Sequence, residues 1–366
     1  MSRPLVLGAR RVVVKVGSSS LTTAAGGLDA ARVDALVDVL ATEKREVVLV
    51  SSGAISAGIA PLGLSRRPRD LATLQACASV GQLLLAERYA ASFGRYSRAV
   101  GQVLLTSEDV IRRAHYRNAR RTLERLLELG VVPVLNENDT VATEEIRFSG
   151  NDRLAALVAH LVGADLLVLL TDVDGVYKSN PRTNPDAPRL ADVHGPEDLT
   201  GAAFRGLGLA AVGTGGMQAK VDAALLAASE GCAAIIGSAT ELAGLLAGDE
   251  IGTLFHPAGR RLPSRLRWLA HASAPSGRLI LDAGAVTALM ERGSSLLPAG
   301  ITSVEGDFSA GDPVELVDPK GRAIGRGLVG YDAAELPAML GRQTRELGAQ
   351  YSREIVHRDD LVILVR

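Results

Sequence analysis

The sequence has only two cysteines, Cys77 and Cys232, in 366 residues. They are too few and too far apart for a disulfide framework, and both are expected to be small buried apolar side chains. No group of His and Cys has zinc-ligand spacing, so a metal ligand set is not specified. Long apolar runs are missing as well: no stretch of about 20 residues escapes interruption by charge or glycine, which argues against a membrane-spanning helix. The opening MSRPLVLGARR lacks the apolar region and small-residue cleavage site of a secretory leader, so a cytoplasmic location is expected. Excess charge of one sign is also absent. The formal net charge is −1, and an anion site must therefore come from local lysines and arginines rather than a global field.

What is present is ample core material, 47% apolar residues, on a chain longer than one typical domain. Its most informative stretch is TGGMQAK, Thr214 to Lys220. Adjacent glycines let backbone approach a ligand closely. The first amides of the helix expected from about Met217 to Glu230 have no intrahelical acceptor, so they point at any anion placed there. A glycine turn before a surface helix fits this heptapeptide equally well, and other segments must decide.

VVVKVGSSSL, residues 12 to 21, reads as a buried strand interrupted by Lys15 just before Gly17 and three serines. A lysine inside such a strand is costly unless its ammonium reaches a partner or water. Further strands are expected at Val47–Val50, Val100–Leu105, Val131–Leu135 and Leu166–Leu170. Helices are expected between them at Ala30–Thr42, Leu71–Phe93 and Asp109–Leu129. That alternation implies a mainly parallel sheet covered on both faces. Polar or glycine clusters follow the strands: SSGA at 51–54, NEND at 136–139, TDVDG at 171–175. Each alone is ordinary turn chemistry, but together at the carboxyl ends of one sheet they argue for a shared site.

VVVKVGSSSL, VSSGAISAG, VPVLNENDTVAT, FSGNDRLAALVA, LLTDVDGVY and GTGGMQAK, in this order, resemble the amino acid kinase family. The resemblance implies an α/β/α sandwich with a mainly parallel central sheet. It implies transfer of the γ-phosphoryl group of ATP, with Mg2+, to the side-chain carboxylate of free L-glutamate, and inhibition by proline. Lys15 and Lys220 match the two transition-state lysines, and Asp152 the carboxylate that holds them. Ser52, Asp139 and Asn151 match substrate contacts, with Gly53 and Asn136 beside them. Lys15, Thr171 and Asp172 match nucleotide contacts, as does the loop Thr214, Gly215, Gly216, Met217, Gln218, Ala219 and Lys220. Gly150 departs from the pattern the resemblance implies, standing where an acidic residue is expected in many relatives. Kinases of N-acetylglutamate or aspartate are the alternatives within this class, and a homo-oligomer is expected.

Residues 1–259 are expected to form the kinase domain, with an Arg/Pro/Ser-rich linker at 260–275. From 276 to 366 the pattern changes to short strands broken by Gly and Asp-Pro turns, suggesting a small barrel of antiparallel strands. This tail resembles a PUA domain. Such domains elsewhere bind RNA, but the tail balances its charges and has few aromatics for stacking. RNA binding is the alternative from another class. The basic segment RRAHYRNARRTLERLL, 112–127, is expected as a helix with a solvated arginine face.

Overall fold

The computed structural model describes residues 3–23, 27–106, 109–110, 113–141, 150–179, 181, 183–184, 186–200, 216–258, 269, 275–342 and 354–364. The chain divides into two compact units, Met1–Val110 with Ala114–Arg261, and Leu262–Arg366 with Ile111–Arg113. Thr214, Gly215 and nearly all of the expected linker lie outside the described residues.

Among the described residues the first unit has ten strands: β1 (Arg11–Val16), β2 (Glu46–Ser51), β3 (Val100–Leu105), β4 (Val132–Glu137), β5 (Leu166–Thr171), β6 (Val176–Tyr177), β7 (Arg189–Leu190), β8 (Asp192–Val193), β9 (Ala233–Ser238) and β10 (Thr253–Phe255). Eight form one sheet in the order β3-β4-β2-β1-β5-β9-β10-β8, and β6 pairs with β7 separately. Pairing is parallel from β3 across to β9. β10 then runs antiparallel to β9, with β8 parallel to β10. All six residues of β5 and five of six in β1 are buried, as strands covered on both faces must be.

The helices of this unit are α1 (Pro4–Leu7), α2 (Ala30–Thr42), α3 (Ala54–Ile59), α4 (Leu71–Gly94), α5 (Arg113–Glu128), α6 (Asn151–Val162), α7 (Met217–Ser229) and α8 (Leu242–Ala247). Asp29 and Asp70 cap α2 and α4, accepting from the backbone N–H groups of Arg32 and Thr73. The described part of the arginine-rich segment is helical, with Arg120–Glu124 and Arg125–Glu128 pairs on its surface. Both cysteines are free and buried. No helix among the described residues is long and apolar enough to cross a membrane.

One contact fixes the chain beyond the carboxyl end of β2. α3 lies directly on α4 through glycines: a Cβ on Gly81 would come within 1.8 Å of Ala54 O, and one on Gly58 within 1.9 Å of Cys77 O. Backbone therefore meets backbone, and the turn after β2 is seated on the middle of α4.

The second unit has β11 (Gly277–Leu281), α9 (Ala283–Arg292), β12 (Ile301–Gly306), β13 (Pro313–Val317), β14 (Ala323–Val329) and β15 (Val356–Ile363), in sheet order β12-β11-β13-β14-β15. The expected antiparallel pairing holds for three neighbours but not for β11 and β13, which are parallel. The reason is topological: β12 turns back along one edge of β11, so β13 arrives at the other edge running in β11's direction. A bridge between Leu296 and Val356 ties the chain just ahead of one edge strand to the other edge strand, the beginning of barrel closure. Leu279, Val314, Leu316, Ile324 and Val356 belong to this unit's own core.

Candidate active site

β1 stands between β2 and β5. Successive connections lead from β1 to one side of the sheet and then, at β5, to the other. Such a reversal leaves a crevice beyond the strands' carboxyl ends, where Lys15, Asp152 and Lys220 meet and the polar residues after β2 and β4 line a pocket.

Lys15, next to last in β1, is 4% exposed, and Lys220 in the first turn of α7 is 7% exposed. Both reach one carboxylate: Lys15 Nζ lies 2.7 Å from Asp152 Oδ1 and Lys220 Nζ 3.2 Å from Oδ2. Asp152 sits in the first turn of α6 and is 1% exposed. Burial alone pushes its carboxyl up, but the two ammonium groups and their hydrogen bonds outweigh this and hold it below the usual carboxylate range. Burial pulls Lys15 below the usual lysine range; Asp152 opposes that shift and Lys220 adds to it. One carboxylate thus aims two like charges that would otherwise repel.

On the β2 and β4 side, a small polar pocket is lined by Ser52, Gly53, Asn136, Asp139 and Asn151, all five of the residues expected to contact substrate. Asn151 Nδ2 lies 2.8 Å from Ser51 O, 2.8 Å from Asn136 Oδ1 and 3.1 Å from Ser52 Oγ. Ser51 Oγ lies 2.9 Å from the Tyr89 hydroxyl, whose pKa burial pushes up. Gly150 precedes α6 at φ +105°, in the left-handed half of backbone space where a side chain is strained. Glycine at this departure from the family pattern therefore has a backbone reason.

On the β5 and β9 side, Thr171 ends β5 opposite Ser238 in β9, and its hydroxyl lies 3.2 Å from Asp172 Oδ1. α7 opens here: Gly216 is its N-cap with no side chain capping it, followed by Met217, Gln218, Ala219 and Lys220. The uncapped first amides and Lys220 therefore occupy one helix start.

Six further residues line the pocket that were not anticipated as site residues: Ala54, Ile55 and Ser56 at the start of α3, and Ser18, Glu137 and Arg67. Ser18 and Glu137 fall inside segments already marked, VVVKVGSSSL and NEND. Arg67 lies in the loop between α3 and α4, among other exposed polar residues, where nothing in the local sequence separates it from a solvated arginine.

The mainly parallel sheet thus carries two buried lysines clamped to one carboxylate at its switch point, beside a small polar pocket. Residues 10–238 match the amino acid kinase family and residues 277–349 the PUA domain. The chain belongs to the amino acid kinase family. It is 66% identical over 368 residues to the glutamate 5-kinase of Frankia casuarinae, covering 99% of both chains. It is 63% identical over 371 residues to that of Streptomyces avermitilis, again covering 99% of both. Among solved structures, an isopentenyl phosphate kinase in complex with substrate is similar at TM-score 0.50 and 20% identity, covering 68% of this chain and 100% of that one. A carbamate kinase from Giardia lamblia bound to AMP-PNP is similar at TM-score 0.50 and 15% identity, covering 68% and 99%. At those identities the structures speak to fold alone.

Proposed function

We propose that this chain transfers the γ-phosphoryl group of ATP to the side-chain carboxylate of free L-glutamate, the reaction of a glutamate 5-kinase. The observation that carries this reading is the Lys15–Asp152–Lys220 cluster standing between the polar pocket and the start of α7. A substrate carboxylate is already ionised at neutral pH. Its oxygen can form the new bond to phosphorus while the bond from phosphorus to the β,γ-bridging oxygen breaks, leaving the electron pair on ADP. No general base is needed.

What the protein must supply is positioning and positive charge where charge spreads in the transition state. Lys15 and Lys220 approach from β1 and α7, and Asp152 keeps both aimed. In the pocket, Asp139 and Asn151 Oδ1 are acceptors suited to an α-ammonium. Ser52, Gly53 and Arg67 offer donors to a carboxylate. Thr171, Asp172 and residues 214–220 form the nucleotide half of this reading.

Mg2+ accompanies ATP in such transfers. Among the described residues no group of three His, Cys, Asp or Glu is placed to cage a metal, and both oxygens of Asp152 are taken by lysines. The described residues do not fit a protein-caged Mg2+, and no step here runs through the ion.

Proline, which shares the α-amino acid head of glutamate, is read as an inhibitor overlapping Ser52, Asp139 and Asn151. A cytoplasmic homo-oligomer whose PUA domain is structural or regulatory completes the proposal. A coupled ADP-release assay over a panel of acidic amino acids tests it. L-Glutamate should support turnover and N-acetyl-L-glutamate should not; turnover with the N-acetylated acid or with aspartate alone would overturn it.

A further inference from the structure

Two amides that line the polar pocket, Asn136 and Asn151, form a chain of three with Gln82 of α4, and backbone groups fix the polarity of the two asparagines. The N–H of Glu137 can only donate, and it lies 2.9 Å from Asn136 Oδ1. That atom is therefore oxygen, which turns Asn136 Nδ2 toward Gln82 Oε1, 2.8 Å away on α4. The carbonyl of Ser51 can only accept, and it lies 2.8 Å from Asn151 Nδ2, which also donates to Asn136 Oδ1 at 2.8 Å. With the nitrogen of Asn151 committed to these acceptors, its Oδ1 is left buried without a partner. A buried orphan acceptor costs folding free energy unless something supplies a donor.

We propose that Gln82 is a positioning residue for the substrate's α-ammonium. Its Oε1 accepts from Asn136 Nδ2 and so holds in place the amide whose Oδ1 takes the Asn151 N–H, which keeps Asn151 Oδ1 as an acceptor in the pocket that Asp139 also lines. This rests on the reading above that a free amino acid occupies the pocket, and it adds the element that makes the pocket choose an amine over an amide. Gln82 neighbours Gly81, where α3 and α4 meet backbone to backbone. The relay is therefore anchored to the same rigid contact that seats Ser52 and Gly53. A substrate whose α-nitrogen is acylated offers one N–H in place of three and leaves these acceptors short of donors.

Steady-state kinetics on the full-length chain tests this with Gln82→Glu, Gln82→Leu and Gln82→Lys. The Leu variant should raise KM for L-glutamate about 10-fold, the effect of one unmet buried polar group, with kcat and KM for ATP changed less than about threefold. The Glu variant keeps an oxygen facing Asn136 Nδ2 and should restore KM to within about threefold of wild type. The Lys variant sets donor against donor and should be worse than Leu. A packing role for Gln82 would not produce this order. Unchanged KM in the Leu or Lys variant, or a Glu variant as poor as Leu, overturns the relay. If Leu fails to fold, the contrast between Glu and Lys decides. No turnover of glutamate by the wild type would instead remove the proposed function beneath it.

Discussion

Two carboxylates, one in each unit, are both held below the ordinary carboxylate range, and they get there by different means. Asp152 does so against burial, because lysines from β1 and α7 converge on it, Lys220 from 68 residues away. Asp318 does so inside its own turn: the backbone N–H of Arg322 leads, with the Arg322 side chain and the N–H of Lys320 adding to it. The same contrast runs through the two units. In the second, Asp282 caps α9 through Ala285 and Asp312 accepts from Ser309, each within a few residues. In the first, side chains from positions 15, 82, 136, 151, 152 and 220 meet. Local pairing of polar groups builds turns and caps, whereas convergence of distant ones at buried positions marks chemistry.

The largest effects should therefore fall on the convergent cluster. Lys15→Ala and Lys220→Ala are each expected to lower turnover by at least ~100-fold, the loss seen when one preorganised charge stabiliser is removed. Asp152→Asn should be as severe, through lysines that lose their aim, and should destabilise the fold by about 3 kcal/mol or more because two buried ammonium groups lose their partner. Asp318→Asn, by contrast, should leave turnover within about twofold. ADP-release kinetics with urea unfolding of all four variants checks this; near-wild-type turnover in any of the first three would separate the cluster from the chemistry.

Next in size is the glycine contact beneath the pocket. A Cβ at Gly81 would stand 1.8 Å from Ala54 O and 2.6 Å from Gly58 N, so Gly81→Ala must push two helices apart. A loss of about 3 kcal/mol is expected, together with a raised KM for glutamate, since Gln82 and the turn after β2 move with it. Gly321 in the second unit has open space around its Cβ position at φ +81°. Gly321→Ala should cost about 1 kcal/mol, from backbone conformation alone. Equal thermal shifts for the two variants would show that the close approach is not there.

The pH dependence sharpens the comparison further. Asp152, with a depressed pKa, contributes stability that is full above its unfolded pKa of about 4 and is lost as pH falls through its lower folded value. Lys15 is lowered from 10.5. Between its folded and unfolded pKa values the unfolded chain binds more protons, so this group's contribution to stability rises with pH while its charge, and with it turnover, is lost. The rate profile should thus show an alkaline limb beginning below 10.5, with no matching fall in urea midpoint attributable to Lys15. Coincident loss of activity and stability would assign the limb to unfolding.

Much of this was legible in the sequence because the parallel sheet writes itself as β-branched runs followed by glycine and polar clusters. β1, β2, β4 and β5 appear where the runs fall, and Lys15 stands out because it breaks one. Gln82 and Tyr89 were not legible. They sit in a long apolar helix and act through hydrogen bonds to Asn136 and Ser51, partners that only folding brings near. The parallel pairing of β11 with β13 was hidden for a related reason. Strand runs are written locally, but the edge a strand joins depends on where the intervening helix and strand have already gone.

The smallest effect on chemistry should come from removing the second unit altogether. Every residue placed in the site lies before Gly237 in the chain, and each unit has its own core, one around Val12, Leu49 and Leu166, the other around Leu279, Val314 and Ile324. A chain ending near Ser273 is therefore expected to keep kcat within about threefold, as for a boundary that few core contacts cross. Changes should appear in assembly or in sensitivity to proline, which the second unit can alter without touching phosphoryl transfer. Turnover and circular dichroism on the truncated chain decide the matter. A well-folded fragment with no activity would mean that the second unit contributes to the site, and that the contrast between convergent and local polar groups does not divide the molecule where the two units do.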